Sequence, residues 1–157
     1  QKKQVSDAED RYLITMLATA PNKHFSVSRI EIDRGGQTYT HDTLEMLRSF
    51  YGDRAELFFI TGADAVLEIL TWREPDAVLK QAHFIAATRP GFDLDRLSDR
   101  RFAGRVSSIE IPALAISSTD IRLRVREGRP IRYLVPREVA RFIEERSLYR
   151  ARDGATA

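Results

Sequence analysis

The sequence predicts a mostly parallel α/β domain of three layers, with helices on both faces of the sheet. Apolar runs at Leu57-Phe58-Phe59-Ile60 and Phe84-Ile85-Ala86-Ala87 lack the alternation of a half-exposed strand, as expected for strands covered on both faces. Each run ends in a turn, at Thr61-Gly62-Ala63-Asp64 and Thr88-Arg89-Pro90-Gly91, and lies between segments of helical apolar spacing. With 157 residues, 43% of them apolar, the chain has the size of one domain with a sizeable core.

The elements follow in order. Ser6 and Glu9 stand at capping-box spacing before a helical stripe of Tyr12, Leu13, Met16, Leu17 and Ala20, which Pro21-Asn22 ends. From Phe25 to Asp33 the alternation slips by one residue between Val27 and Ile30, which predicts a bulged strand broken by Gly35-Gly36. Thr40 is a candidate cap for a helix carrying Leu44, Leu47 and Tyr51 and stopped by Gly52-Asp53. The two buried strands come next, then a polar, Arg-rich connection from Asp93 to Arg105. A last strand around Ile109-Glu110-Ile111 ends at Pro112. A helical part, about 117–150, closes the domain: one helix starts at Ser117-Ser118-Thr119-Asp120, the other after Pro136 with Val139, Phe142, Ile143 and Leu148 on its apolar side.

Composition excludes several functions. There is no cysteine, so disulfide frameworks and thiol nucleophiles are out, and His24, His41 and His83 are too far apart in sequence to suggest a metal site. No apolar run approaches a membrane span, and the first residues lead into a polar stretch, so a soluble, unsecreted, cytoplasmic protein is expected. The net charge of +2 gives no reason to expect nucleic-acid affinity. Ten arginines against four acids between Ile121 and Arg152 could attract a polyphosphate, or simply solvate helix faces. Arginine makes up 21 of the 25 basic residues and is spread throughout, a compositional bias in itself.

Ligands of parallel α/β sheets bind at the carboxyl ends of the strands, and three motifs fall there. Ile116-Ser117-Ser118-Thr119-Asp120-Ile121-Arg122 sets hydroxyl groups and free backbone N–H groups at a helix start with an arginine one turn in, the outline of an anion site. The alternative is an ordinary capping box from Ser117 to Asp120. Gly62 and Asp64 suit a ribose, since glycine permits close approach and a carboxylate accepts from paired hydroxyls; a tight turn with Asp64 as helix cap fits equally. Arg89 could reach a phosphate or form a surface ion pair. Away from these turns, Trp72 could stack on a ligand ring or serve as core, and Thr40 could donate to a carboxylate or cap its helix. The three histidines are expected to be structural, and no nucleophile elbow is present.

Taken together, Gly35-Gly36-Gln37-Thr38-Tyr39-Thr40-His41-Asp42-Thr43-Leu44, Phe59-Ile60-Thr61-Gly62-Ala63-Asp64, Leu70-Thr71-Trp72-Arg73, Thr88-Arg89-Pro90-Gly91 and Ile111-Pro112-Ala113-Leu114-Ala115-Ile116-Ser117-Ser118-Thr119-Asp120-Ile121-Arg122 resemble, in order and spacing, the bacterial nicotinate-nucleotide adenylyltransferases. The resemblance runs from about Lys2 to Tyr149. It implies a Rossmann-like nucleotidyltransferase fold and magnesium-dependent transfer of AMP from ATP to nicotinate mononucleotide. Carried over by position, Ser117, Ser118, Thr119 and Arg122 would hold ATP phosphates, and Gly62 with Asp64 would meet ribose. Trp72 would stack on the pyridine, Thr40 with backbone N–H groups near Trp72-Arg73 would bind the nicotinate carboxylate, and Arg89 would approach the nucleotide phosphate. Lys2 or Lys3 would face the phosphates, and no residue of the chain would ligate the metal. Self-association, frequent in the family, is left open.

One departure stands out. The family opens with a Gly-Gly-Thr-Phe-Asp-Pro turn and a His-x-Gly-His motif facing the reacting phosphates, and this chain carries neither, so no catalytic residue is identified in it. The expectation is a single nucleotidyltransferase domain over 1–157 missing its first strand and turn, either because the product is truncated or because the sequence given omits them. Alternatives of the same chemistry are adenylyl transfer to nicotinamide mononucleotide or another phosphorylated acceptor. Alternatives of other classes are a non-catalytic nucleotide-binding remnant and an Arg-rich RNA-binding module.

Overall fold

The computed structural model describes residues 6–93, 95, 98–112 and 114–150, which fall into two compact units. One unit runs from Asp33 to Leu114; the other joins the residues up to Ile32 with those from Ala115 onward.

In the Asp33–Leu114 unit, three strands, β1 (Phe58–Gly62), β2 (His83–Thr88) and β3 (Val106–Glu110), pair in the order β1-β2-β3, all parallel. Parallel pairs require crossovers. Between β1 and β2 the crossover is helical, with α4 (Ala63–Glu68), a 3-10 turn at Ile69–Thr71 and α5 (Pro75–Gln81). Between β2 and β3 its only helical piece among the described residues of 100–105 is a single turn, Arg100–Phe102. Preceding β1 is α3 (Thr40–Tyr51), which stops at Gly52, where φ of +68° suits a residue without Cβ.

Alternate strand residues face a common core. Phe84, Val66, Ile69 and Val78 are fully buried, joined by Leu44, Leu79, Ala86 and Phe102. The register places Phe59 beside Phe84 and Phe84 beside Val106, so one face of the sheet meets α4 and α5. Coverage of both faces of β1, expected from its unbroken apolar run, is corrected here. Phe58 is 53% exposed and Ile60 69%, with Ile109 and Ile111 exposed on the same side. The helices α4 and α5 pack against the face carrying Phe59, Phe84 and Val106, while on the opposite face Phe58, Ile60 and Ile109 are exposed beside the polar His83–Ser107 pair.

The second unit is helical. α1 (Ala8–Thr19) packs against α7 (Arg137–Glu145), with α6 (Ser118–Arg126) adding Ile121 to a core of Ile131, Val139 and Ile143. Ser6 Oγ donates to Tyr149 Oη at 3.1 Å, tying residues far apart in sequence. Arg29 grips Glu9 through two nitrogens, at 2.6 and 2.8 Å, and stacks over the Tyr12 ring. Hydrogen bonds from Arg29 hold the Glu9 carboxyl below its usual range.

Three local expectations are corrected. The segment 25–33 forms no strand: α2 (Ile30–Arg34) occupies its end, and Ser28 Oγ accepts from Ile30 N–H, a local bond that competes with any ladder. The cap of α1 is Asp7, whose carboxylate accepts from Glu9 N–H, while Ser6 is engaged with Tyr149. Thr40 is the first residue of α3 and caps nothing, since Tyr39 holds the extended cap position.

Two measurements check this packing. Phe84→Ala is expected to cost about 3–5 kcal/mol of stability, read as a lower urea midpoint with unchanged slope. Asp99 accepts hydrogen bonds from the Arg101 guanidinium and backbone, which hold its carboxyl at about 2 rather than 3.8. A depressed carboxyl keeps this bonding above its ordinary range and loses it as pH falls through about 2. Arg101→Ala should return the Asp99 carbon-13 titration toward 3.8.

Candidate functional site

In the Asp33–Leu114 unit, polar groups gather where the strands end. The register sets Gly62, last residue of β1, beside Ala87, so the turn at Arg89 follows one residue past the neighbouring strand's end, Thr88. Gly62 is the cap residue of α4 and makes no side-chain bond; a Cβ there would meet nothing within 4 Å, so the protein alone does not require glycine. Asp64 is exposed in the first turn of α4 and caps nothing, which sets aside the helix-cap alternative for its carboxylate. Arg89 is exposed, its carbonyl accepting from Phe92 N–H at 3.0 Å, in a turn where Gly91 takes φ of +82°.

A second cluster joins the start of α3 to the turn before α5. Trp72 is half-buried, packs on the core and meets Phe59 edge-on at 6.4 Å between centroids, so it combines core packing with remaining exposure. Its N–H donates to Ile69 O at 2.9 Å and is not open to a ligand. The Arg73 N–H has no acceptor among the described residues, nor has the half-buried Thr40 hydroxyl a partner. The Arg73 guanidinium lies over the Tyr39 ring at 5.2 Å, and His41 stands between Asp42 and Glu74, with Nδ1 3.6 Å from Asp42 and Nε2 3.5 Å from Glu74. Sequence reading named Thr40, Trp72 and Arg73 but missed His41 and Glu74. The one available signal was Glu74 before Pro75, a position from which right-handed helix is disfavoured.

In the other unit, the start of α6 has the form of an anion cradle. Ser117 caps it, its side chain accepting from Asp120 N–H at 3.1 Å, and Ile121 N–H returns to Ser117 O at 3.0 Å. Only half of a capping box forms, because Asp120 instead binds Arg124 Nε at 2.7 Å. The N–H groups of Ser118 and Thr119 therefore have no acceptor among the described residues, at the positive end of a nine-residue helix. Arg122 folds back over this turn, Nη2 lying 3.3 Å from Thr119 Oγ1, so a guanidinium and two amides converge.

Of the other histidines, His83 Nε2 shares a 2.7 Å hydrogen bond with Ser107 on the neighbouring strand, and His24 lies in an exposed turn. Lys2 and Lys3 lie outside the described residues, as does Ala113. Among the described residues no group of three His, Asp or Glu could hold a metal, and no helix is long and apolar enough to cross a membrane.

Comparison with known proteins gives the family. A cytidylyltransferase-like family profile matches residues 1–124. A protein of Moorella thermoacetica named a probable nicotinate-nucleotide adenylyltransferase is 56% identical over 154 residues, covering 94% of this chain and 71% of its own length. A Streptomyces coelicolor protein of the same name is 58% identical over 146 residues, covering 93% and 76%. Among solved structures, nicotinic acid mononucleotide adenylyltransferase of Plasmodium falciparum complexed with NaAD superposes with a TM-score of 0.75 over 95% of this chain and 77% of that one. At 19% identity that likeness bears on the fold, which is Rossmann-like as expected. With more than half its residues shared over more than nine-tenths of its length, the chain belongs to the nicotinate-nucleotide adenylyltransferases, within the cytidylyltransferase-like group.

Proposed function

We propose a division of labour among these residues in the family's reaction, transfer of AMP from ATP to nicotinate mononucleotide, which yields nicotinate adenine dinucleotide and pyrophosphate in NAD synthesis. The observation that carries the reaction is identity above one half to proteins named for it. The 5′-phosphate oxygen of the mononucleotide attacks the α-phosphorus of ATP in line. The new O–P bond forms as the bond from the α-phosphorus to the bridging oxygen breaks, and pyrophosphate leaves with that electron pair. No covalent nucleophile is needed, so the protein's task is to position two polyanions and stabilise charge on the transferring group.

Ser118 and Thr119 at the α6 start, capped by Ser117, hold ATP phosphates through their open N–H groups and hydroxyls, and Arg122 neutralises charge there. Gly62 and Asp64 meet ribose hydroxyls, the free carboxylate accepting from them. Trp72 stacks on the pyridine ring, while the Thr40 hydroxyl and the Arg73 N–H donate to its carboxylate, two unpartnered donors suited to an acid. Arg89 approaches the mononucleotide phosphate, and Lys2 or Lys3 adds positive charge near the triphosphate.

The donor set fits a magnesium ion that arrives on the triphosphate with its water rather than one held by a carboxylate cage, since the described residues gather none. Bound so, the ion would supply charge neutralisation on the triphosphate. A single catalytic domain, a cytoplasmic location and no role for nucleic acid or a membrane complete the proposal, with self-association left to measurement.

Titrating the full-length protein with nicotinate mononucleotide while following the fluorescence lost on Trp72→Phe, Trp72 being the only tryptophan of the sequence given, tests the pyridine site. Saturable quenching is expected, weaker with the amide form, and no response to either in folded protein overturns the placement of Trp72. Arg122→Ala is expected to lower adenylyl transfer about 100-fold or more with the thermal melt unchanged; near-normal turnover removes Arg122 from phosphate binding.

A further inference from the structure

We propose that His41 is a positioning residue that sets the distance between Thr40 and the Trp72-Arg73 turn, and thereby the affinity for the pyridine carboxylate. The inference rests on the reading of Thr40, Trp72 and Arg73 as the carboxylate subsite, and it goes beyond that reading by naming what holds the subsite together.

The geometry has three parts. First, the residues on either side of Thr40 both anchor on the turn: the Tyr39 ring lies under the Arg73 guanidinium at 5.2 Å, and His41 Nε2 faces the Glu74 carboxylate at 3.5 Å. Two tethers on consecutive turn residues fix Thr40 between them, whereas one would leave a hinge. Second, the imidazole itself is held. Its side chain is only 14% exposed, and its other nitrogen faces Asp42, whose second oxygen accepts from Arg34 Nη1 at 3.1 Å. Polar contacts thus run from Arg34 through Asp42 and His41 to Glu74 and Arg73, the last pair 3.6 Å apart.

Third, the turn needs holding. Glu74 takes φ of +53°, a left-handed conformation that a non-glycine residue adopts at a cost and keeps only where its surroundings enforce it. Its side chain makes no cap bond to α5; its carboxylate faces His41 and Arg73 instead. The strained residue directly follows Arg73, whose open N–H is assigned to the carboxylate. Release of Glu74 by loss of His41 lets that N–H swing away from Thr40, and substrate donors misplaced by a fraction of an ångström bind poorly.

The test is steady-state kinetics and Trp72 fluorescence on full-length His41→Ala and His41→Gln. With His41→Ala, the KM for nicotinate mononucleotide and the Kd from Trp72 quenching are expected to rise about tenfold, while kcat and the KM for ATP stay within about twofold. His41→Gln, whose amide can still donate to one carboxylate, should recover part of the loss. A general loss of folding would instead lower the melting temperature and move all parameters together. Unchanged KM and Kd in His41→Ala, with normal quenching in the parent protein, overturn the role of His41 alone. Absence of quenching in the parent protein overturns the subsite reading beneath it.

Discussion

The burial of β2 is the constraint on which the Asp33–Leu114 unit depends. This strand is bonded on both sides by parallel neighbours, and Phe84, Ala86 and Thr88 alternate into a face where none is more than 4% exposed. A parallel ladder cannot be closed by tight hairpins, so the chain must cross back to the same end of the sheet after each strand, along α4 and α5 between β1 and β2. Gly62 and Arg89 come together for this reason, at adjacent strand ends. The site residues there are consequences of topology, displayed by a rigid element whose own side chains do no chemistry.

The α6 start follows a different logic. The phosphate-binding role proposed for it rests on what the helix leaves unfinished. Ser117 satisfies Asp120, the Ser117 carbonyl satisfies Ile121, and two amides are left over with Arg122 turned back toward them. Had Asp120 completed the capping box it would have stayed at the helix start; drawn instead to Arg124, its charge is compensated one turn along. An anion arriving there meets donors and little repulsion.

How much of this was legible in the sequence depended on whether the determining contacts were local. The strands at Phe58 and Phe84, the Gly52 stop, the Ser117 cap and the helix after Pro136 each follow from a few neighbouring residues, and all are present. Failures occur where a distant partner decides. Ser6 has the chemistry of a cap, but Tyr149 claims its hydroxyl and Asp7 takes the role. The segment 25–33 has roughly strand-like alternation, yet no neighbour pairs with it among the described residues, and its end coils into α2. An unbroken apolar run in β1 suggested burial on both sides, whereas hydropathy cannot tell which rows the helices cover. The candidate site divides in the same way. Thr40, Trp72 and Arg73 could be named from their order, but the His41–Glu74 contact spans the chain from α3 to α5 and left no local pattern.

The left-handed backbone at Glu74 carries a consequence for anyone who would make this enzyme sturdier. Glycine takes a positive φ without the cost a side chain incurs, and Glu74, with φ of +53° ahead of a proline, is where a scheme of glycine replacement would begin. The same exchange removes the carboxylate that faces both His41 and Arg73. Under the positioning role proposed for His41, robustness and substrate recognition pull this one codon in opposite directions, and a library selected for heat resistance alone would drift toward proteins that endure but bind the acceptor loosely.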